Sequence, residues 1–407
     1  MRNSIQIVLL LCAVTFKVAA QTIDWSQKAN PYSLSINSVA FKSDGEQVLS
    51  GTDCHPASIR IYNSSDGLLK WDYEVGSAFL CIMGVAFSSN SQYIVTIEEF
   101  GNILIFNNSG LLPVIKDTIT TNTSYGFATC VSPDNSKVAV ACSNGKVKIY
   151  DILTGVLIKE ISNAHSSWVT TIAYSFNGVS IVSGGSDDKV KIWDVNGNLK
   201  YVCSGHAADI TQVRVTPDNN FVISSAKDGT IKVWDINNGM LIRTISGHTG
   251  SVNGIDISPN GKMIASASSD SSCKIWNLSD GTELSTFGVR DSGAINTIAW
   301  SPNGNKIATG NRRSDIVLWS VPLILGTSKD SEYSYLSQLV YPNPATDYIK
   351  LSSQCISYQL FDNKGDLVIE GENSSGSINL QKVRPGFFVL KSIGKDGRIF
   401  FSKIIKN

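Results

Sequence analysis

Three trios of His, Ser and Asp recur at one spacing: His165, Ser183 and Asp187; His206, Ser224 and Asp228; His248, Ser266 and Asp270. Each Ser follows its His by 18 residues, and each Asp follows its Ser by four. These residue types can do nucleophilic acyl transfer, with His taking the Ser proton and Asp orienting the imidazole. The sequence context does not support that chemistry. No Ser sits in a nucleophile-elbow turn and no H-E-x-x-H is present. The stretch Pro259 to Lys262, "PNGK", has the wrong glycine spacing for a phosphate loop and reads as a turn.

His55 is the fourth and last histidine. With Asp53 and the adjacent pair Glu98 and Glu99 it offers an alternative constellation for a metal or for acid–base work. No C-x-x-C pair or other metal-ligand spacing accompanies it, so no metal and no cofactor is expected. Charge is balanced at 34 basic against 34 acidic residues, which argues against nucleic acid or an anionic membrane surface as partner.

The elements that carry the trios repeat. Aromatic anchors stand at Tyr62, Phe106, Tyr150, Trp193, Trp234, Trp276 and Trp319, separated by 44, 44, 43, 41, 42 and 43 residues. A polar turn recurs before each, as in "SPDNSKV", "TPDNNFV" and "SPNGKMI", flanked by short apolar runs. Pro, Asp, Asn and Gly there set tight hairpins, and the runs read as strands buried on both faces. A period near 42 over seven copies is the mark of a repeat architecture.

The repeats resemble those of WD-repeat β-propellers. The clearest copies run from Ser204 to Asp235 and from Ser246 to Asn277. The resemblance implies an all-β, seven-bladed propeller over residues 21–320, closed when "TIDWSQK" (Thr22 to Lys28) completes the last blade. It also implies that each trio joins its Trp in a buried hydrogen-bonded tetrad: His165, Ser183, Asp187 and Trp193; His206, Ser224, Asp228 and Trp234; His248, Ser266, Asp270 and Trp276. Asp and Ser then satisfy the two ring nitrogens of a core histidine.

The departures are concentrated. Counted back from the anchors, the tetrad Asp position holds Asn144 in copy three, Arg313 in copy seven, Phe100 in copy two and Pro56 in copy one. Copies seven, one and two also lack the His, and in a closed ring they are neighbours. Their turns, with the connection from Val289 to Ala294 that opens onto the same face, gather Asp53, His55, Glu98, Glu99, Phe100, Arg290, Asp291, Arg312 and Arg313 on one sector of the top rim. The sector reads as a protein- or glycan-recognition patch with one exposed aromatic, or as decay of the motif in terminal blades. The alternative function is a hydrolase or lyase working at this rim.

The two ends differ from the repeats. Residues 1–20 read as a cleaved signal peptide: Arg2, an apolar run from Ile5 to Phe16, then Val18 and Ala20 before Gln21. The run is shorter than the ~20 residues a membrane span needs, and no other run is long enough, so no span is expected in the mature chain. Of the seven cysteines beyond residue 20, spaced widely, most read as buried small apolar residues. A Cys54–Cys81 disulfide on the top face is the alternative that an exported chain permits.

After a linker at 321–338, residues 339–407 resemble the C-terminal sorting domain of proteins exported by the type IX secretion system of Bacteroidota. The matching residues are Asn343, Pro344, Ala345 and Asp347, then Phe361, Asp362 and Gly365, then Pro385 to Leu390 with Gly386, and Lys403 to Lys406 at the end. The resemblance implies a small Ig-like β-sandwich, recognition by the type IX machinery, passage through the periplasm, and a final place outside the cell or on its surface.

Overall fold

The structure is a computed structural model. It describes residues 22–28, 35–53, 57–75, 80–121, 125–288 and 293–321, and beyond them 340–341, 348–351, 355–362, 367–372, 377–384, 386–394 and 399–406. Contacts divide the chain into two compact units, Met1–Leu323 and Ile324–Asn407. No helix occurs among the described residues.

The first unit holds seven four-stranded antiparallel sheets. Blade 1 shows how sequence sets the layering. Its inner strand is Ile36–Phe41, followed outward by Gln47–Thr52, Ser58–Asn63 and Leu69–Glu74. The two middle strands are buried on both faces, with Val48, Leu49, Ile59 and Ile61 packed beside the buried polar Ser50, Thr52, Ser58 and Arg60. The outermost strand alternates exposed with half-buried residues. Blades 2 to 6 repeat this order over 82–120, 126–161, 169–204, 210–245 and 252–287.

Blade 7 has three strands in 295–320, and its fourth comes from the other end of the first unit. Thr22–Lys28 pairs antiparallel with Asp315–Ser320, so the ring closes as the sequence implied. Trp25 anchors the closure: it is buried, and its Nε1 donates to the Ser64 carbonyl of blade 1 at 3.2 Å. The inner strand of blade 7 also contacts that of blade 1, as each inner strand contacts the next around the ring.

The apolar cores lie between blades. One cluster joins Val190 and Ile192 of blade 4 to Val213 and Trp234 of blade 5; another joins Leu49 and Ile59 of blade 1 to Ile82 and Ile94 of blade 2. A blade therefore completes its core only with its neighbours, as in other stacked repeats.

Every inner strand carries the same irregularity. Its pairing with the second strand slips by one residue near its start, at Asn37, Met83, Phe127, Thr170, Thr211, Asn253 and Asn296. A β-bulge leaves its extra residue unpaired and re-aims its side chain. Here all seven bulges sit where the inner strands begin, on the face called top below.

Among the described residues the second unit holds two sheets. One pairs Val340–Tyr341, Tyr348–Leu351 and Ser377–Asn379; the other is ordered Leu367–Glu372, Cys355–Asp362, Gly386–Gly394, Ile399–Lys406. Leu360 and Leu390 of the second sheet share a core with Ile378 of the first and with Leu380 and Val383. Of the expected sorting residues, Gly386 pairs with Lys406, and Val389 with Lys403. Asn343, Pro344, Ala345 and Asp347 lie outside the described residues.

Candidate functional site

The three trios form the hydrogen-bond chains that their spacing suggests. His165 Nδ1 lies 2.7 Å from Asp187 Oδ1, its Nε2 2.8 Å from Ser183 Oγ, and Trp193 Nε1 donates to the same oxygen at 2.9 Å. The distances are 2.9, 2.8 and 2.8 Å around His206 with Asp228, Ser224 and Trp234, and 2.8 Å throughout for His248 with Asp270, Ser266 and Trp276. An ionised Asp only accepts, so Nδ1 carries the proton and the Ser hydroxyl donates to Nε2.

Burial lowers the pKa of each His, opposed by the hydrogen bond and charge of its Asp. Burial works against the Asp228 and Asp270 carboxylates too. It is outweighed at Asp228 by the Ala207 N–H, the Thr230 hydroxyl and His206, and at Asp270 by Ser272 and His248, so both are lowered to about 2. The electronic arrangement is that of an activated serine. Access is not, because Ser183, Ser224 and Ser266 have no exposed surface.

Blades 2 and 7, which lack the histidine, close the same turn with another polar pair, and blade 1 does so with Thr52 and Ser58. In blade 4, a Cβ added at Gly185 would meet His165 Nδ1 at 2.5 Å, so Gly is needed where the ring lies. The strand register places Glu98 at that position in blade 2 and Asn311 in blade 7. Glu98 accepts from Asn102 Nδ2 at 3.0 Å, and Asn311 Nδ2 donates to Asp315 at 3.0 Å, the same two positions with amide and carboxylate exchanged. In blade 1, Thr52 Oγ1 accepts from the Ser58 N–H at 2.8 Å.

This corrects two sequence expectations. Glu98 is 4% exposed, and burial raises its pKa against the Asn102 hydrogen bond, so it is not a rim charge. Pro56 is not the counterpart of Asp187. Tyr62 pairs with Val48 as Trp193 pairs with Ile181, which makes Ser50 the equivalent of Ser183 and leaves the blade 1 turn two residues longer.

The rim sector divides in two. Asp53 and Arg312 line one depression of about 450 Å³ with Ser35, Asn37 and Asn296, where blade 7 meets blade 1. Arg313 is exposed on the same turn as Arg312. Glu99, half-buried, and Phe100, 50% exposed, stand on blade 2. His55, Arg290 and Asp291 lie outside the described residues.

The mouth of the central channel is built from the seven bulge residues. The channel, of about 600 Å³, is lined by all seven inner strands. At five bulges a polar side chain donates to the carbonyl that begins the next inner strand: Asn37 to Ile82 at 3.1 Å, Thr170 to Ile210 and Thr211 to Val252 at 2.5 Å, Asn253 to Ile295 at 2.8 Å and Asn296 to Ile36 at 3.1 Å. At blades 2 and 3 the position holds Met83 and Phe127 instead. Phe127 stacks on Trp168 with centroids 5.3 Å apart, and Phe100 lies 5.9 Å from Tyr125. Deeper in the channel, Arg214 Nε contacts Asp256 Oδ1 at 3.2 Å, and Asp256 Oδ2 accepts from the Trp300 N–H at 2.7 Å.

Residues 116–151, 155–194, 197–235, 239–277 and 281–320 match the family described as WD domain, G-beta repeat, and residues 339–407 match the secretion system C-terminal sorting domain. The chain is a WD-repeat propeller with a C-terminal sorting domain.

The WD repeats align with parts of curated proteins. Identity is 37% over 65 residues to nuclear distribution protein nudF of Emericella nidulans, covering 16% of this chain and 14% of that protein. It is 23% over 167 residues to human cilia- and flagella-associated protein 52, covering 41% and 26%, and 25% over 166 residues to Drosophila protein groucho, covering 38% and 22%. The chain thus spans about a quarter or less of these relatives. Its tail indicates export by type IX secretion to the cell surface or beyond.

Cys142 is buried, Cys203 and Cys273 are free and buried, and burial pushes the Cys203 thiol up to about 12. Cys81, however, is disulfide-bonded; its expected partner, Cys54, lies outside the described residues. And Phe100 is not the one exposed aromatic of the top face. Tyr125 and Trp168 stand there too, each immediately before an inner strand, a position the anchor-based alignment left unread.

Proposed function

We propose that this protein is an exported, non-catalytic scaffold whose propeller holds a protein or glycan ligand on its top face. In this reading residues 1–20 are a signal peptide removed before Gln21, residues 21–320 form the propeller and 321–338 the linker. The type IX machinery of a Bacteroidota-like cell reads residues 339–407. The propeller then acts on the cell surface or after release, without cofactor or metal.

One observation carries the location of the ligand: the charged depression shared by Asp53 and Arg312 opens beside the channel mouth, between the two blades joined by ring closure. A rigid concave site with a few convergent polar groups suits recognition. The hydrolase or lyase reading gains no support among the described residues. The tetrad serines are buried, no group of three His, Cys, Asp or Glu there could hold a metal, and Glu98 is turned inward.

Affinity capture from the surface of the producing cells tests the proposal. Wild-type protein should retain a partner that Asp53→Lys with Arg312→Glu loses. Equal capture by both would remove the depression from the ligand site.

A further inference from the structure

We propose that the top of blades 2 to 4 is a platform for a neutral polysaccharide, built from Phe100, Tyr125, Phe127 and Trp168. This rests on the reading that the top face binds ligand, and it assigns a different sector and a definite chemistry.

The first support is the bulge ring. One backbone position, repeated seven times, holds a polar donor in five blades and an apolar side chain in blades 2 and 3. Outside those two, the aromatic surface continues. Trp168 is 52% exposed, Phe100 50% and Tyr125 41%. The two ring pairs are linked through the backbone, because Tyr125 and Phe127 flank Gly126 at the start of one strand. Large aromatics left in water together mark an interaction surface. All other tryptophans of the chain are buried or half-buried.

The second support is shape. The rings of Phe127 and Trp168 are inclined by only 26°, and those of Phe100 and Tyr125 by 34°. Phe127 backs one side of the Trp168 ring, and Trp168 keeps 52% of its surface in water. A peptide anchor gains most by filling a desolvated pocket; Phe127 reaches the channel, but Trp168, Phe100 and Tyr125 line neither the channel nor the Asp53 depression. A pyranose needs no pocket. Its flat C–H face carries weak positive charge that complements the negative face of an aromatic ring.

The third support is polarity. The turn beside Tyr125 offers Ser143 and Asn144, and the approach to Trp168 offers Ser166. Hydroxyls and an amide match the hydroxyls of a neutral sugar, whereas the depression at blades 7 and 1 is charged.

The test uses the full-length chain in native gels cast with a neutral β-glucan, a mannan or a xylan. At least one should retard the wild type, and Trp168→Ala or Phe100→Ala should weaken the retardation about tenfold, the loss of ~1.4 kcal/mol of stacking and burial. Trp168→Phe, which keeps a plate, should retain most of it. Arg312→Glu should leave it unchanged, which separates failure of this proposal from failure of the charged site. Acrylamide quenching gives a second readout, since Trp168 is the exposed indole: the bound polysaccharide should shield it. No retardation and no shielding in all three gels would overturn the proposal. So would retardation indifferent to Trp168→Ala, or a protein partner lost in Trp168→Ala when no polysaccharide binds.

Discussion

Asn102 donates to the buried carboxylate of Glu98 across 3.0 Å, in the position that a histidine–aspartate pair fills two blades further on. The blade keeps its turn closed with a different pair of groups. A group held this way should titrate abnormally. Burial raises the Glu98 pKa, so the folded state favours its proton and this stabilising contribution is present at acid pH and lost as pH rises through the folded pKa. Glu98→Gln keeps an acceptor for Asn102 without a charge. It should raise the urea midpoint at pH 7 and lose that advantage at pH 4. A midpoint lowered at pH 7 would contradict the assignment.

"IEEFGN" reads as a charged turn, yet the register puts Glu98 at the end of a buried strand and Glu99 just beyond it. The seven-fold period, the tetrads and the closing strand were legible because each rests on a fixed spacing along paired strands. The inward Glu98, the longer turn of blade 1 and the aromatic platform were not. They depend on register across strands and on loop lengths, which vary among the repeats.

The tetrad hydroxyls should differ in worth. Ser183 serves both His165 and Trp193. Ser183→Ala leaves two buried groups unsatisfied and should cost about 2–4 kcal/mol in a denaturation experiment. In blade 2, Phe106 has no donor to offer, and the Thr96 hydroxyl is buried without a partner. Thr96→Val should be neutral or stabilise by up to ~1 kcal/mol. Equal losses at the two sites would refute the contrast.

The three tetrad histidines set a pH dependence opposite in sign to that of Glu98. Their folded pKa values are lowered by burial, so their contribution is complete above the ordinary 6.5 and is lost as pH falls below it. Asp228 and Asp270, held at about 2, extend the loss below 3.8. Calorimetry should give a lower Tm at pH 5.5 than at pH 7.5, and His206→Gln should reduce the difference. A Tm that rises on acidification across this range would contradict it.

Ring closure should be a large part of stability. Trp25 packs with Tyr62 and Val48 of blade 1 and with Leu318 of blade 7. Trp25→Ala should cost about 3–5 kcal/mol and favour aggregation through the uncovered edge of Asp315–Ser320, read by light scattering during thermal unfolding. A monomeric variant of unchanged Tm would show that the ring does not depend on this seam.

The central claim is that delivery and binding belong to different parts of the chain. Its most direct test is deletion of residues 339–407 in the producing cell, followed by fractionation and ligand capture. The expected result is a folded propeller retained in the periplasm that still captures its ligand once purified. Normal surface export of the truncated chain, or loss of binding with the propeller intact, would contradict it.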